Sequence, residues 1–178
     1  MQAERFHMIE VVIDSIRISL VSQHRIVLLK ELNSDRQLPI WIGPCEADAI
    51  TIELQDVKVA RPLTADLVNM VINELGGTVS YVLIRELTEQ VFHASLFINV
   101  NDSMHEIDCR PSDAIAVAVR AKVPIYANEA VLEEAGVEPE PDLVEETEQE
   151  EGEGDVGNLD AFSDFLDTLD FDDFEGEN

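Results

Sequence analysis

EIDCRPSDAIAVAVRAKVPIYA, residues Glu106 to Ala127, is the stretch whose reading decides the fold. It holds three elements in a row. Glu106-Ile107-Asp108 ends an extended segment, Arg110-Pro111-Ser112-Asp113 is a turn that opens a helix, and Ala114 to Lys122 is that helix, closed by Val123-Pro124. Pro111 suits helix entry because its fixed φ is helical and its missing N–H had no partner to lose. Ser112 and Asp113 can satisfy or complement the exposed N–H groups of the first turn. Ile115, Val117 and Val119 interleave with four alanines, so the helix is apolar on most sides and is expected to be buried. A polar cluster of Asp108, Arg110, Ser112 and Asp113 therefore stands at the mouth of a buried helix.

Outward from that stretch, the pattern is strands, helices, strands, helices. Met8 to Ile18, His24 to Leu32 and Gln37 to Ile42 are β-branched, alternating runs joined by short polar turns, with Ser22-Gln23 as one hairpin tip, which predicts an antiparallel meander. Gly43-Pro44 leads into a helix from about Cys45 to Gln55. Thr64 is read as the N-cap of a helix from Ala65 to Leu75, with Leu67, Val68, Val71, Ile72 and Leu75 at helical spacing and Gly76 as its stop. Strands follow at Thr78–Leu87, Val91–Val100 and Met104–Asp108, the last two joined at Asn101-Asp102. After the central helix come a short strand, Ile125–Ala127, and a helix from Asn128 as N-cap to Ala135, stopped by Gly136. This order predicts an α+β fold, a mixed and largely antiparallel sheet with helices packed on it.

RPSDAIAVAVRAKVPIY resembles the signature of the bifunctional nuclease family. Leu38–Ile50, LPIWIGPCEADAI, is similar to that family's strand-turn-helix segment, and Pro62–Gly76, PLTADLVNMVINELG, to its next helix. The three lie in the family's order, and the resemblance covers about residues 8 to 136. It implies nuclease activity on both DNA and RNA. One departure stands out: where the family usually has a histidine after the threonine of Pro-Leu-Thr, this chain has Ala65, so no role of that histidine carries over.

Charge divides the chain. Residues 1–128 hold all 11 Lys and Arg and 17 of the 38 Asp and Glu, a net of −6, while residues 129–178 hold 21 acids and no base. The expected organisation is a domain over 1–136, an acidic disordered linker over 137–158 and an acidic-aromatic segment over 159–178. In that segment Leu159, Phe162, Phe165, Leu166 and Leu169 are spaced for one helical stripe, which would suit a protein partner with an apolar groove. Neither half has the basic surface of a dedicated nucleic-acid binder. Cys45 and Cys109 form no ligand spacing, as free thiols in a reducing cytosol would not. No secretory signal or bilayer-length apolar run is present, so a soluble cytoplasmic protein is expected. The apolar N-terminal strand and Phe97, on the nominally polar face of its strand, point to a homo-oligomer.

The candidate chemistry is that of acids around one arginine. Asp108 and Asp113 are carboxylates of a kind that holds Mg²⁺ or Mn²⁺ and activates water against phosphate, and Arg110 would clamp the phosphate. Equally, Asp113 can serve only the helix dipole and Arg110 can pair with Asp108 to hold the corner. Glu46 lies where the resembled family has the glutamate of its Glu-Ala pair. It opens the first helix, with Asp48 beside it and Glu53 further along, so acids at two helix entries, Glu46 and Asp113, would face one another across a groove. The expected site is therefore Glu46, Asp108 and Asp113 as metal or base carboxylates with Arg110 on phosphate, acting on DNA and RNA. The alternative is a non-enzymatic interaction or regulatory module whose polar corner is structural. His7, His24, His93 and His105 have no ligand spacing, no phosphate loop or nucleophile elbow is present, and Trp41 and Tyr81 read as core aromatics.

Overall fold

The computed structural model describes residues 7–18 and 24–139. The Ser22-Gln23 hairpin tip and the readings of the acidic linker and tail beyond residue 139 lie outside the described residues. Seven strands and four helices follow in the order β1 (Met8–Ile18), β2 (Arg25–Glu31), β3 (Gln37–Ile42), α1 (Pro44–Leu54), α2 (Thr64–Glu74), β4 (Gly77–Thr88), β5 (Val91–Val100), β6 (Ser103–Cys109), α3 (Pro111–Ala121), β7 (Ile125–Asn128) and α4 (Glu129–Ala135). The strands form one sheet in the order β3-β2-β1-β7-β4-β5-β6. Only the β4–β7 pair is parallel, so the sheet is mixed and largely antiparallel, as the sequence order predicts.

β7 is the topological centre. It is four residues long, yet it joins the β1–β3 meander to the β4–β6 meander, antiparallel to β1 and parallel to β4. α3 is the crossover that delivers it. Lys122 ends α3 in the left-handed conformation at φ 56°, and Pro124 accepts the Val82 N–H through its carbonyl as the chain re-enters the sheet.

All four helices feed one apolar cluster on one face of the sheet. Ile50 of α1, Ala65 of α2, Ile115 and Ala118 of α3, and Leu132 of α4 join Val11, Leu29, Val82, Ile84, Ala94 and Leu96 there. Strand alternation then assigns the opposite face. Cross-strand partners put Tyr81 with Phe97 and Glu106, and Leu83 with Ser95, Asp108 and Tyr126, away from the helices. On that open face Tyr81 and Phe97 stack with centroids 4.3 Å apart, and Tyr126 meets Tyr81 edge-on. This gives Phe97 its place on the nominally polar side.

α3 is buried as expected, with seven residues from Pro111 to Ala118 inside. α2 is the exception. Its apolar stripe does not close on the core: only Ala65 is buried, while Leu67, Val71 and Leu75 are exposed. Its cap also differs from the sequence reading. Leu63, not Thr64, is the N-cap, and the Asp66 carboxylate accepts the Leu63 N–H at 2.7 Å. Trp41 is 58% exposed rather than core, because β3 is an edge strand and Trp41 alternates outward from Ile40 and Ile42. The fold runs one residue past the expected boundary at Gly136, since Val137 pairs with Gln37.

Candidate functional site

α1 and α3 both begin with a proline at the entry, and both lack a side-chain cap. Their first turns therefore leave N–H groups directed outward, a local positive potential at each entry. The residues expected at these entries do meet. Arg110, the N-cap of α3, donates from Nε and Nη2 to the two carboxylate oxygens of Asp113 at 2.8 and 3.0 Å, and from Nη1 to Glu46 Oε1 of α1 at 3.0 Å. The Asp113 contact is a bidentate fork, the geometry guanidinium prefers for carboxylate and phosphate alike. Two acids drive the Arg110 pKa upward, Asp113 first and then Glu46, so this cation stays charged. Its side chain is 65% exposed, against 27% for Glu46 and 49% for Asp113.

Glu46 holds its position partly because residue 43 is glycine. A Cβ at Gly43 would collide with Glu46 Oε2. The Gly43-Pro44 step thus does more than end a strand: it leaves room for the carboxylate to fold back over the helix entry.

The expectation that Asp108 joins Glu46 and Asp113 is not met. Asp108 sits opposite Ser95 on the open face of the sheet, the other side from the helices. There it accepts from Arg85 Nη2 at 3.3 Å, in a cluster with Glu106, Glu86 and Ser95. Period-two alternation is the physical reason: Cys109 and Ile107 point toward the helices, so Asp108 cannot. Nor does Asp108 pair with Arg110. Asp48 and Glu53 take no part in the Arg110 contacts. Among the described residues, no group of three or more His, Cys, Asp or Glu side chains is placed to hold a metal ion. The donor set that remains is the Glu46–Asp113 pair. Two carboxylates fit an ion such as Mg²⁺, which takes one or two carboxylates and completes its octahedron with water and substrate phosphate.

Glu46, Arg110 and Asp113 also line a groove of about 760 Å³ between α1, α2, α3 and the β5–β6 hairpin. Its walls are almost wholly apolar, with Leu67, Val68 and Val71 of α2 facing Leu96, Ile98 and Ile107 of the sheet. Cys45 and Cys109 line it too, both as free thiols. Burial, then Asp113 and Asp108, push the Cys109 thiol up to about 11.

Sequence reasoning missed two arginines. Arg120, 4% exposed, donates to Asp66 of α2, to the Ala49 carbonyl of α1 and to the Ala116 carbonyl of its own helix. Arg85 organises the open-face cluster. The available signal was an arginine inside an otherwise alanine-rich buried helix, since a charge there must find partners.

Comparison with known proteins agrees with this geometry. A family model described as bifunctional nuclease domain matches residues 27–140. An uncharacterized protein of Mycobacterium tuberculosis is 44% identical over 128 residues, which is 72% of this chain and 76% of that protein. A protein of Oryza sativa subsp. japonica named bifunctional nuclease 2 is 34% identical over 118 residues, 65% of this chain and 36% of its own length. One of Oryza sativa subsp. indica named bifunctional nuclease 1 is 31% identical over 124 residues, 66% of this chain and 38% of its own. The chain thus spans little more than a third of these rice proteins. Among the described residues no helix is long and apolar enough to cross a membrane.

Proposed function

Because the chain belongs to the bifunctional nuclease domain family, we propose that it hydrolyses phosphodiester bonds of DNA and RNA, aided by Mg²⁺ or Mn²⁺, where α1 and α3 begin. The observation that carries this reading is one exposed guanidinium shared by two carboxylates from separate helix entries. A phosphodiester can take the same parallel N–H bonds from Arg110 that Asp113 takes in its absence. The uncapped first turns of α1 and α3 add favourable potential for an anion. This local field offsets a domain whose net charge is otherwise unfavourable for phosphate.

When phosphate occupies Arg110, Glu46 and Asp113 are released from it. These two carboxylates would then hold the divalent ion, which when bound supplies Lewis acidity to the phosphoryl oxygens and a more acidic water. Arg110 orients the phosphate and stabilises the charge that develops on it. Whichever carboxylate oxygen is not engaged accepts the proton of the attacking water. Gly43 keeps Glu46 folded toward the corner.

The test is a nuclease assay on plasmid DNA and on RNA with purified protein. Cleavage is expected with Mg²⁺ or Mn²⁺, to stop with EDTA, and to be abolished by Asp113→Asn. An inactive parent, or an Asn variant as active as the parent, overturns the assignment.

A further inference from the structure

The two edges of the sheet are not alike. β3 carries Pro39, and its first residue is covered by the Gln37–Val137 bridge. Proline and a covering segment are both ways of closing an edge to further pairing. β6, at the other edge, has seven residues, no proline and, among the described residues, no strand or bridge on its outer side. Every second residue of an antiparallel strand directs its N–H and C=O away from its one neighbour. β6 therefore offers a row of backbone groups to an added strand.

The surfaces on either side of that row differ in kind. On the helix side, Ile107 is 47% exposed and borders the apolar groove walled by Leu67, Val68 and Val71. On the open side, Glu106 and Asp108 project with Glu86 nearby, three acids around the single cation Arg85. A strand laid along β6 would present alternate side chains to these two surfaces.

We infer that β6 takes an extended segment of a partner protein in which apolar residues alternate with Lys or Arg. The apolar side chains enter the groove beside Ile107, and the basic ones meet Glu106 and Asp108. Main-chain pairing gives the affinity and the two-sided pattern gives the selectivity, as in other strand-addition complexes. A second copy of this chain is a poor occupant. Pairing β6 with itself about a two-fold axis normal to the sheet sets Glu106 and Asp108 in one row with their own counterparts, acid beside acid. Nucleic acid brings phosphates to the same acids.

The test uses the full chain and three capped nine-residue peptides: alternating Val and Lys, alternating Val and Glu, and the Val/Lys peptide with a central proline. Amide exchange at residues 103–109 and the methyl resonances of Leu67 and Val71 are followed by NMR. The Val/Lys peptide is expected to slow exchange of the outward β6 amides by at least about tenfold at saturation and to shift both methyls, while the other two do neither. In the double variant Glu106→Lys, Asp108→Lys the preference passes to the Val/Glu peptide. The comparison of peptides on the unaltered chain stands even if that variant fails to fold. Binding of Val/Lys that leaves β6 exchange unchanged, equal protection by Val/Glu, or β6 amides protected by a single-stranded oligonucleotide instead would each overturn the proposal. So would β6 protection in the free protein that rises with protein concentration, which would assign the edge to a second copy.

Discussion

Helix α3 carries an arginine at each end, and the two have opposite lives. Arg120, in the last turn, is 4% exposed and ties α3 to α2 and α1 through Asp66 and two carbonyl oxygens. Arg110, at the N-cap, is 65% exposed and ties α3 to α1 through carboxylates alone. The residue type is the same, and so is the helix. What differs is what a newcomer can do. No incoming phosphate can compete for a guanidinium sealed among carbonyls, whereas one at a surface held only by carboxylates exchanges partners readily. A buried arginine joins helices; an open one between acids is available for chemistry.

The sharpest way to break that contrast is at the sealed end. Asp66→Ala would leave the Arg120 guanidinium buried with its counter-ion gone and remove the carboxylate that accepts the Leu63 N–H. We expect a loss of about 3–5 kcal/mol in urea denaturation. Arg110→Ala, by contrast, removes a surface pair and should cost under about 1 kcal/mol. Equal losses at the two ends would erase the distinction.

Activity should rank them the other way. Arg110→Ala is expected to lower the cleavage rate about 10²-fold, the cost of removing one charge-stabilising donor. Arg85→Ala and Asp108→Asn, on the far face of the sheet, should leave it within about threefold. Gly43→Ala sharpens the point. It displaces Glu46 without deleting any charged group, so a rate loss with unchanged thermal stability would show that placement of the carboxylate matters. Equal losses at Arg85 and Arg110 would move the chemistry away from the corner.

A smaller effect concerns Cys109, on the groove beside the open end. Its thiol is pushed up to about 11 from the usual 9.0. A folded-state pKa above the unfolded one gives stability that is complete below the unfolded value and lost as pH rises toward the folded one. Stability should therefore decline between pH 9.0 and about 11, and Cys109→Ala should remove that part of the slope. At neutral pH a thiol reagent should modify exposed Cys45 first.

Much of this was legible in the sequence because it follows from local rules. Period-two runs gave the strands, Pro111 and Gly43-Pro44 gave the helix entries, and Gly76 at φ 79° gave the end of α2. Asn101-Asp102 adopts the two positive φ values of a tight hairpin, as Asn and Asp do readily. Glu89-Gln90 does the same between β4 and β5, without turn-forming residues to announce it; there the pairing of two long strands imposes the turn. The meeting of Glu46 with Asp113 was foreseen as acids facing across a groove, but their shared ligand, Arg110, was not assigned to Glu46. Asp108 was misplaced because chain proximity to Arg110 outweighed alternation in the reading. Arg120 was invisible because its partners lie 54 and 71 positions away, on helices whose packing no local pattern encodes.

The place of β7 has a consequence for how the domain is made. The two meanders, residues 8–42 and 77–109, share no strand pairing with each other; each pairs with β7 instead. A nascent chain emerging at about 5–20 residues per second must therefore wait with two unjoined half-sheets until Ile125–Asn128 appears. The last short strand of the domain closes the sheet. Such long-range closure folds slowly relative to its local hairpins. Until that strand arrives, the inner edges of both halves stay open to whatever else the cell offers, and a chain cut short before residue 125 would keep them so.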